Sequence, residues 1–403
     1  MQVVYGCCCG IDVHKKMIVA CLNQGGKQEL RQFGTMTANL REMCDWLVQS
    51  GCEMIAMEST ASYWKPLYNL FELVGLKAMV VNAAHMKALP GRKTDVKDAE
   101  WISDLLRHGL LKASFIPDRE QRELREISRY RKSMVEERAR ELNRLQKMLE
   151  GANIKLDSVV KSINGKSSRR LLDQIIAGRS LVGDEISALL HGKMRPKLDQ
   201  IILAIDGFAT PLQRRLLAQV VDHIDDMTRR ISDLDTLILD YMKQYEQAIA
   251  AIPGIARRSA ETILAEIGID MCRFPSAAHL CSWAGLCPGN NESAGKRYSG
   301  RITKGNQALK TALVECAKAA RNVPGSFFSA QYQRISIRRG KNRATIAVAH
   351  SMLIAIYHVL RDGVPFVDLG SDFYAKFNRE KKIAACLKRL HDLGWQPTAS
   401  APA

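Results

Sequence analysis

Four acidic residues in the first hundred positions have types and spacings that could bind a divalent metal. Asp12 and Glu58 each end an apolar run that is typical of a buried strand. Asp95 and Asp98 lie three residues apart, a spacing that puts both on one face of a helix. Converging carboxylates repel one another unless a hard cation such as Mg²⁺ neutralises them. The quartet therefore predicts a metal site, and ions held this way can activate one oxygen and stabilise another during phosphoryl transfer.

Each member of this quartet also has a plainer explanation. An acidic pair on a helix is ordinarily solvated surface, and an acidic residue after a strand is often a turn former or cap. The order of elements over residues 1–112 favours the metal site, because it runs strand, two returning strands, helix, strand, helix, strand, helix. That order predicts a mixed α/β sheet of the ribonuclease-H-like type with helices on its faces.

Two long helices are predicted after the sheet. Residues 118–150 are nearly all Arg, Glu, Leu, Lys and Met, and a second helix begins at Pro211. The apolar positions of the second helix step by threes and fours: Ile224, Met227, Ile231, Leu234, Ile238, Tyr241 and Tyr245. This heptad seam predicts a coiled coil. An antiparallel hairpin within the chain and a subunit interface both satisfy it, and we expect the helices to pair and also to contribute to oligomerisation.

A helical hairpin is predicted over residues 249–268, where one helix ends at Pro253-Gly254 and another begins at once. The backbone N–H groups of such a turn, if they face outward beside Arg257 and Arg258, could hold a nucleic-acid phosphate. A plain packing element is the alternative interpretation.

A second motif with chemical potential is the glycine-rich, basic loop over residues 285–307. Its glycines would let a ligand approach the backbone, and its cations would attract phosphate. These cations are Lys296, Arg297, Arg301 and Lys304. Ser293 and Ser299 are candidate nucleophiles, although a loop serine is more often a turn residue. A serine becomes reactive only when its proton is removed and the charge of the attacked phosphate is offset.

Charge and cysteine usage limit the class of protein. The formal net charge of +17 is concentrated late in the chain, with +1 over residues 1–110 and +12 over residues 251–403. That segregation is typical of a protein that binds a polyanion with one part and processes it with another.

Eleven cysteines without a Cys-x-x-Cys pair predict reduced core thiols rather than disulfides or zinc ligands. The sequence has no apolar run of about 18 residues, so no membrane span is expected. No signal peptide is expected either.

These motifs together resemble one known family, the insertion-sequence 110 transposases, also called DEDD recombinases. The resemblance rests on six segments in the family's order: Gly-Ile-Asp-Val-His-Lys (10–15), Met-Glu-Ser-Thr (57–60), Lys-Thr-Asp-Val-Lys-Asp-Ala (93–99), Ile-Pro-Gly-Ile (252–255), Ser-Ala-Gly-Lys (293–296) and Thr-Lys-Gly-Asn (303–306). It implies a RuvC-like metal domain at 1–112, a coiled-coil helical region at 113–248, a mainly α-helical transposase domain at 249–345 and a helical tail at 346–403.

The resemblance also implies roles for the site residues. Asp12, Glu58, Asp95 and Asp98 would be catalytic ligands of Mg²⁺ or Mn²⁺, and Ser293 the nucleophile. Ala294 stands where the family's serine loop commonly has Ser or Gly, so Ser299, which Gly300 follows directly, remains a competitor.

The function expected is excision and insertion of a mobile element by strand exchange through a phosphoserine intermediate. Expected partners are donor and target double-stranded DNA and a guide (bridge) RNA, with no membrane. We expect a homodimer that assembles to a tetramer in the bacterial cytoplasm, associated with the nucleoid. The alternatives are a RuvC-like, structure-specific nuclease that acts by water attack and a nucleic-acid scaffold without catalysis.

Overall fold

The computed structural model describes residues 2–59, 61–81, 95–242, 246–289, 291–293, 296–377 and 379–394. The chain divides into two compact units, Met1–Arg119 and Glu120–Ala403. The first is a mixed α/β sheet unit and the second is mainly helical.

The first unit is built on one five-stranded sheet with the order β3-β2-β1-β4-β5. β1 and β2 are antiparallel, as are β2 and β3, whereas β4 and β5 run parallel to β1. The strands are β1 (Cys7–Val13), β2 (Met17–Gln24), β3 (Lys27–Gly34), β4 (Met54–Glu58) and β5 (Ala78–Val81). The helices are α1 (Thr37–Gln49), α2 (Trp64–Val74) and α3 (Asp95–Arg107). This arrangement confirms the predicted mixed sheet and is consistent with the predicted ribonuclease-H-like fold.

The two faces of the sheet bury different helices, because successive strand side chains point to opposite faces. Cys9 and Ile11 of β1 belong to a core that includes Leu47 of α1 and Phe71 of α2. On the other face, Cys8 of β1 packs with apolar residues of β4, β5 and α3, which are Ala56, Val81, Ile102 and Leu106. Helix α3, which carries the predicted Asp95/Asp98 pair, therefore covers the second face.

The first part of the second unit is organised by two long helices, α4 (Arg119–Gly151) and α9 (Pro211–Met242). Four short helices connect them: α5 (Leu156–Val159), α6 (Lys166–Ala177), α7 (Gly183–Leu189) and α8 (Leu198–Ile205). A 3₁₀ turn at Gly192–Lys197 precedes α8. One hydrophobic core joins all of these helices, with Leu145 of α4 and Ile224 of α9 fully buried in it.

The two long helices run antiparallel within the chain. Arg131 donates to Asp235 at 2.9 Å, and Arg138, one heptad further along, donates to Thr228 at 3.2 Å. Most described positions of the predicted seam are buried, but Tyr241 is 53% exposed. Tyr245 lies outside the described residues. The pairing within the chain is thus observed, whereas supercoiling and a role in oligomerisation stay predictions.

The rest of the second unit consists of helices and one β-hairpin. The helices are α10 (Glu246–Ala250), α11 (Arg257–Ile267), α12 (Ala277–Trp283), α13 (Gln307–Ala320), α14 (Phe327–Arg339), α15 (Lys341–Asp362), α16 (Phe373–Phe377) and α17 (Arg379–Asp392). A 3₁₀ turn, Met271–Arg273, precedes α12. The hairpin strands are β6 (Asn291–Ser293) and β7 (Lys296–Ser299).

Helix α15 is the central helix of this part of the unit. It packs against α12, α13 and α14, and its inner face is fully buried, with Val348, Met352 and Ile356 at 0% exposure. Among the described helices it is the one long and apolar enough to cross a membrane, and half of its apolar window is buried inside the protein. Its packing identifies it as a core helix. It also spans the boundary predicted at 345/346, because its apolar stripe continues without interruption through that position.

The segment after α15 folds back onto α14 through aromatic contacts. The ring of Phe327 lies 5.2 Å from Phe373 and is stacked at 5.4 Å on Tyr374. Asp368 accepts a hydrogen bond from the backbone N–H of Phe327 at 2.9 Å. The predicted helical tail is therefore attached to the second unit at least as far as Tyr374.

Candidate functional site

Asp12 and Glu58 occupy neighbouring positions at the carboxyl ends of two parallel strands. In the β1–β4 register Ile11 is opposite Met57, so the next residue on each strand is one of the two acids. Asp12 shares its face with Cys8, and Glu58 shares its face with Ala56, which is the face that α3 covers. Asp12 is only 6% exposed, and Glu58 is half-buried.

Helix α3 approaches β1 closely enough to require a glycine. A Cβ on Gly10 would lie 2.4 Å from the carbonyl oxygen of Ala99 and 2.3 Å from the amide nitrogen of Ser103. The helix backbone therefore lies directly on the strand, two residues before Asp12. Asp98 is half-buried and immediately precedes Ala99. Asp95 is the first residue of α3, and its side chain lies outside the described part of the structure.

His14 is a site residue that sequence reasoning missed. Its Nε2 lies 2.8 Å from Oδ2 of Asp12, and the His14 side chain is 43% exposed. The spacing i, i+2 at a strand end could have indicated it, since alternate strand residues share a face. When protonated, His14 offsets part of the Asp12 charge, and a bound cation would compete with it for the same carboxylate.

Asp12 and Glu58 are thus placed side by side, and the first turns of α3 lie on the same face. Among the side chains that the structure describes, no three His, Cys, Asp or Glu groups are close enough together to hold a metal ion. The side chain of Asp95 is not among those described. Metal binding by the full quartet therefore stays a prediction.

The serine loop is a β-hairpin closed by backbone hydrogen bonds. The amide of Gly289 donates to the carbonyl of Arg301 at 2.8 Å, and the amide of Thr303 donates to Cys287 at 3.1 Å. Ser293 lies at the far end of the ladder, opposite Lys296, next to residues 294 and 295. Those two residues and the side chain of Ser293 lie outside the described part.

Ser299 stands further from the tip and has a structural contact. It is the register partner of Asn291, and its Oγ accepts a hydrogen bond from the amide of Arg301 at 3.2 Å. That hydroxyl oxygen therefore helps to shape the backbone after β7. The choice of Ser293 over Ser299 as the nucleophile stays a prediction.

The predicted cations of the loop are largely solvent-facing. Lys296, Arg301 and Lys304 are exposed, and none of them forms an ion pair with a described residue. The side chain of Arg297 lies outside the described part. An exposed, unpaired cation remains available for a phosphate.

The base of the hairpin is fixed by a close backbone crossing and a helix cap. A Cβ on Gly305 would lie 2.3 Å from the amide nitrogen of Gly285, so the two loop ends touch backbone to backbone. Asn306 caps α13 by accepting from the amide of Leu309 at 3.1 Å. Its Nδ2 also donates to Oε2 of Glu266 at 2.6 Å. The serine hairpin is thereby tied to α11.

Glu266 is the centre of a buried polar cluster and was not indicated by the sequence. Only 1% of it is exposed, and Arg129 of α4 binds its carboxylate in bidentate fashion, with Nε–Oε1 at 2.7 Å and Nη2–Oε2 at 2.8 Å. The hydrogen bond to Glu266 raises the pKa of Arg129. Arg125 adds a contact of 3.5 Å. Glu266 therefore connects the long helix α4 to the base of the serine hairpin.

The prediction of an outward-facing turn at Gly254 is wrong. A Cβ there would lie 2.5 Å from the carbonyl oxygen of Cys316 and 2.6 Å from the amide of Ala320, so the turn packs against α13. Its φ of +89° is the left-handed conformation that glycine accommodates. The plain packing alternative fits this turn better.

Arg257 and Arg258, predicted to bind nucleic acid, both contact acids of their own chain. Nε of Arg257 lies 3.0 Å from Oε1 of the buried Glu261, and Arg258 donates to Asp235. Each side chain is about half exposed. Arg258 helps to hold α11 against α9, whereas Arg257 pairs within α11. The binding of both arginines to nucleic acid stays a prediction.

Two family models match this chain, one over each segment that carries candidate site residues. Residues 9–154 match a family described as "Transposase" whose model carries the name DEDD_Tnp_IS110. Residues 246–333 match a second, described as "Transposase IS116/IS110/IS902 family". The first match contains the whole acidic quartet, and the second contains the serine hairpin.

Individual relatives resemble much of the chain at modest identity. An "Insertion element IS110 uncharacterized 43.6 kDa protein" of Streptomyces coelicolor is 24% identical over 85% of this chain and 90% of its own length. A "Putative transposase y4qE" of Sinorhizobium fredii is 25% identical over 78% of this chain and 72% of its own length. A "Pilin gene-inverting protein" of Moraxella bovis is 29% identical over 38% of this chain and 52% of its own length.

The two family matches lie in the expected order along the chain. The Streptomyces coelicolor relative aligns with 85% of the chain, which is more than the two matched segments cover. The chain therefore belongs to the IS110 family of transposases.

Proposed function

We propose that this transposase excises and inserts DNA by strand exchange, with Ser293 as the nucleophile and a divalent metal held by Asp12, Glu58, Asp95 and Asp98. The observation that carries the proposal is the placement of Asp12 and Glu58 on adjacent parallel strands, on the face that α3 covers. A metal site on that face would draw its carboxylates from β1, β4 and α3.

The residues present fit a hard cation. Their donors are carboxylate oxygens, and Asp12 is nearly buried, so a charge there needs a partner. Bound Mg²⁺ or Mn²⁺ would supply charge stabilisation at the reacting phosphate. The chain's own contribution is to position the ligands, and Gly10 permits the close approach of α3 that this requires. His14, 2.8 Å from one Asp12 oxygen, would have to give up that oxygen to a bound cation.

The proposed chemical step takes place at the tip of the hairpin. Ser293 Oγ attacks the phosphorus of the scissile phosphodiester, and a new P–O bond forms as the bond to the leaving deoxyribose oxygen breaks. The proton of Oγ passes, directly or through water, to that leaving oxygen. Lys296 and Arg301 are exposed on the same hairpin and would bind the non-bridging phosphate oxygens. Attack by the oxygen of another strand on the phosphoserine completes the exchange and regenerates the serine.

The partners follow from this reaction and from the family resemblance. We assign donor and target double-stranded DNA, and a bridge RNA that selects them by base pairing, as in other RNA-guided systems. Four strands must be cut and rejoined, which favours a dimer that pairs into a tetramer. The name of the Moraxella bovis relative describes gene inversion, which is a strand-exchange outcome and supports recombination over simple cleavage.

The test is capture of the covalent intermediate. The protein is purified with its RNA and incubated with Mg²⁺ and nicked duplexes made from the DNA flanking its gene. Gel electrophoresis in detergent then separates a protein–DNA adduct from free DNA. We expect an adduct with the unaltered protein and with Ser299→Ala, and none with Ser293→Ala or Asp12→Asn.

Three results would contradict the mechanism. An adduct that survives in Ser293→Ala and disappears in Ser299→Ala would reassign the nucleophile. Free cut ends without any adduct would identify the alternative function, a nuclease in which water attacks. Unchanged recombination in Asp12→Asn would remove the metal quartet from the chemistry.

A further inference from the structure

The junction between α14 and α15 carries the densest group of positive charge in the described C-terminal region. Residues 334–343 read Arg-Ile-Ser-Ile-Arg-Arg-Gly-Lys-Asn-Arg, which contains five cations and no acid. We call these ten residues the basic corner. They lie just beyond the family match that ends at residue 333, so the family comparison assigns them no role.

Four cations of the basic corner are exposed and unpaired. These are Arg338, Arg339, Lys341 and Arg343, none of which forms an ion pair or side-chain hydrogen bond with any residue in the described ranges. The fifth, Arg334, lies over the ring of Tyr374 at 4.6 Å. Arg257 and Arg258, by contrast, both bind carboxylates of this chain. Unpaired guanidinium and ammonium groups are the ones ready to bind an external anion.

The local helix structure disfavours two of these charges. Lys341 and Arg343 lie in the first turn of the 22-residue helix α15, whose first turn contains no acid. The N-terminus of a helix carries partial positive charge, so cations there are unfavourable for the isolated protein. Arg338 and Arg339, at the end of α14, add like charge at close range. Residues that disfavour the local structure are expected where function needs them.

The basic corner is also rigid and carries an apolar contact surface. Helix α15 is anchored in the core by Ala344, Val348 and Ala349, all at 0% exposure, so the corner loses little conformational entropy when it binds. Ile337 lies between the arginines of α14 and is 85% exposed. An exposed isoleucine beside arginines suits the deoxyribose surface that accompanies each phosphate.

We propose that the basic corner binds the phosphodiester backbone of double-stranded DNA and does not read its sequence. Arginine and lysine contacts to phosphate position a protein on the duplex, whereas specificity requires contacts to base edges. DNA is the polyanion on which this transposase family acts, so it is the occupant that we assign. The proposal rests on membership of the family but not on the Ser293 mechanism.

The experiment measures how DNA affinity depends on salt. The corner variant carries Arg338→Gln, Arg339→Gln, Lys341→Gln and Arg343→Gln in the full-length protein, freed of bound nucleic acid. Binding to one duplex of arbitrary sequence is followed from 50 to 200 mM KCl. Each lost phosphate contact should flatten the slope of log K against log salt by about 0.9, so four contacts would flatten it by about 3.6. The loss should be the same for a second, unrelated sequence.

The matched control removes the same number and kinds of charge elsewhere. Its substitutions are Arg140→Gln, Arg229→Gln, Arg230→Gln and Lys318→Gln. Each of these exposed cations already pairs with an acid of its own helix. For this variant we expect the slope to change by less than about 0.9, the value for one phosphate contact.

Three outcomes would overturn the proposal. One is a corner variant whose slope changes no more than that of the control. Another is a loss seen with duplex RNA of the same sequence but not with DNA, which would assign the surface to RNA. The third is a loss confined to one DNA sequence, which would indicate base readout. The binding assay involves no strand exchange, so its result does not depend on which serine is the nucleophile. Failure of the Ser293 assignment in the adduct assay is therefore distinguishable from failure of the basic corner in the binding assay.

Discussion

At the scale of single residues, the site depends on positions where no side chain fits. Gly10 is the clearest, because the backbone of α3 occupies the space that its Cβ would need. The sequence shows only a glycine inside a strand, which weakens a strand without revealing what approaches it. The positions of Asp12 and Glu58 at strand ends could be predicted from apolar runs. The contact that His14 makes could not be predicted from those runs, since it depends on side-chain geometry.

We predict that Gly10→Ala destabilises the first unit and lowers activity. The new methyl group would meet backbone atoms, which cannot rotate away, so the strand or α3 must shift. Overpacking of this kind costs about 1–3 kcal/mol. Because α3 carries Asp95 and Asp98, its displacement should also lower recombination when the protein is still folded. Urea unfolding and a recombination assay measure the two effects.

The control is Gly151→Ala, at the end of α4, where a Cβ would meet nothing within 4 Å. Alanine at a compatible position should leave stability unchanged or raise it by about 0.4–1 kcal/mol. Equal unfolding midpoints for Gly10→Ala and the unaltered protein would contradict the close approach of α3 to β1.

At the scale of elements, periodic patterns predicted the strands and long helices well, whereas contacts between distant segments could not be predicted. The second long helix begins at Pro211 as expected, and β4 has the predicted bounds. Local sequence patterns do not reveal the contacts of Glu266, because its partner Arg129 is 137 positions away and its partner Asn306 is 40 positions away. The orientation predicted for the turn at Gly254 is wrong for the same reason, since the turn packs against the distant helix α13.

We predict that Glu266→Gln destabilises the second unit strongly. The substitution removes the carboxylate that accepts two hydrogen bonds from Arg129 and one from Asn306. Breaking a fully buried ion pair by removing one partner typically costs about 3–5 kcal/mol. Because the Arg129 side chain is 53% exposed and partly screened by solvent, we expect a loss below that range. Urea unfolding, followed by circular dichroism, measures the loss.

The matched control is Glu315→Gln on α13, whose pair with Lys318 is exposed on both sides. Exposed pairs contribute about 0–1 kcal/mol, so this variant should be nearly neutral. The double variant Glu266→Leu with Arg129→Met should recover part of the loss, because the guanidinium of Arg129 is then no longer left without its acid. Similar losses for Glu266→Gln and Glu315→Gln would show that the buried cluster adds nothing to stability.

At the scale of the whole molecule, composition predicted how charge is distributed between the two units. The sheet unit is nearly neutral, and the unpaired cations that the structure describes on the hairpin and the basic corner belong to the helical unit. The cysteines are mostly core residues, as predicted, since eight of the eleven are buried. Six of the buried thiols lie in the sheet unit, where small polarisable side chains fill space between closely packed strands.

We predict that only two thiols react quickly in the native protein. Cys272 and Cys386 are exposed, whereas burial raises the pKa of Cys8 to about 11 and that of Cys52 to about 12. A raised pKa keeps a thiol protonated at pH 8, and the thiolate is the reactive form. With an aromatic disulfide reagent at pH 8 we expect two fast equivalents from the native protein and eleven in denaturant. Cys272→Ser with Cys386→Ser should remove the fast phase while the total falls to nine. A fast phase that persists in this variant would show that another thiol, the half-buried Cys287 or a buried one, is open to solvent.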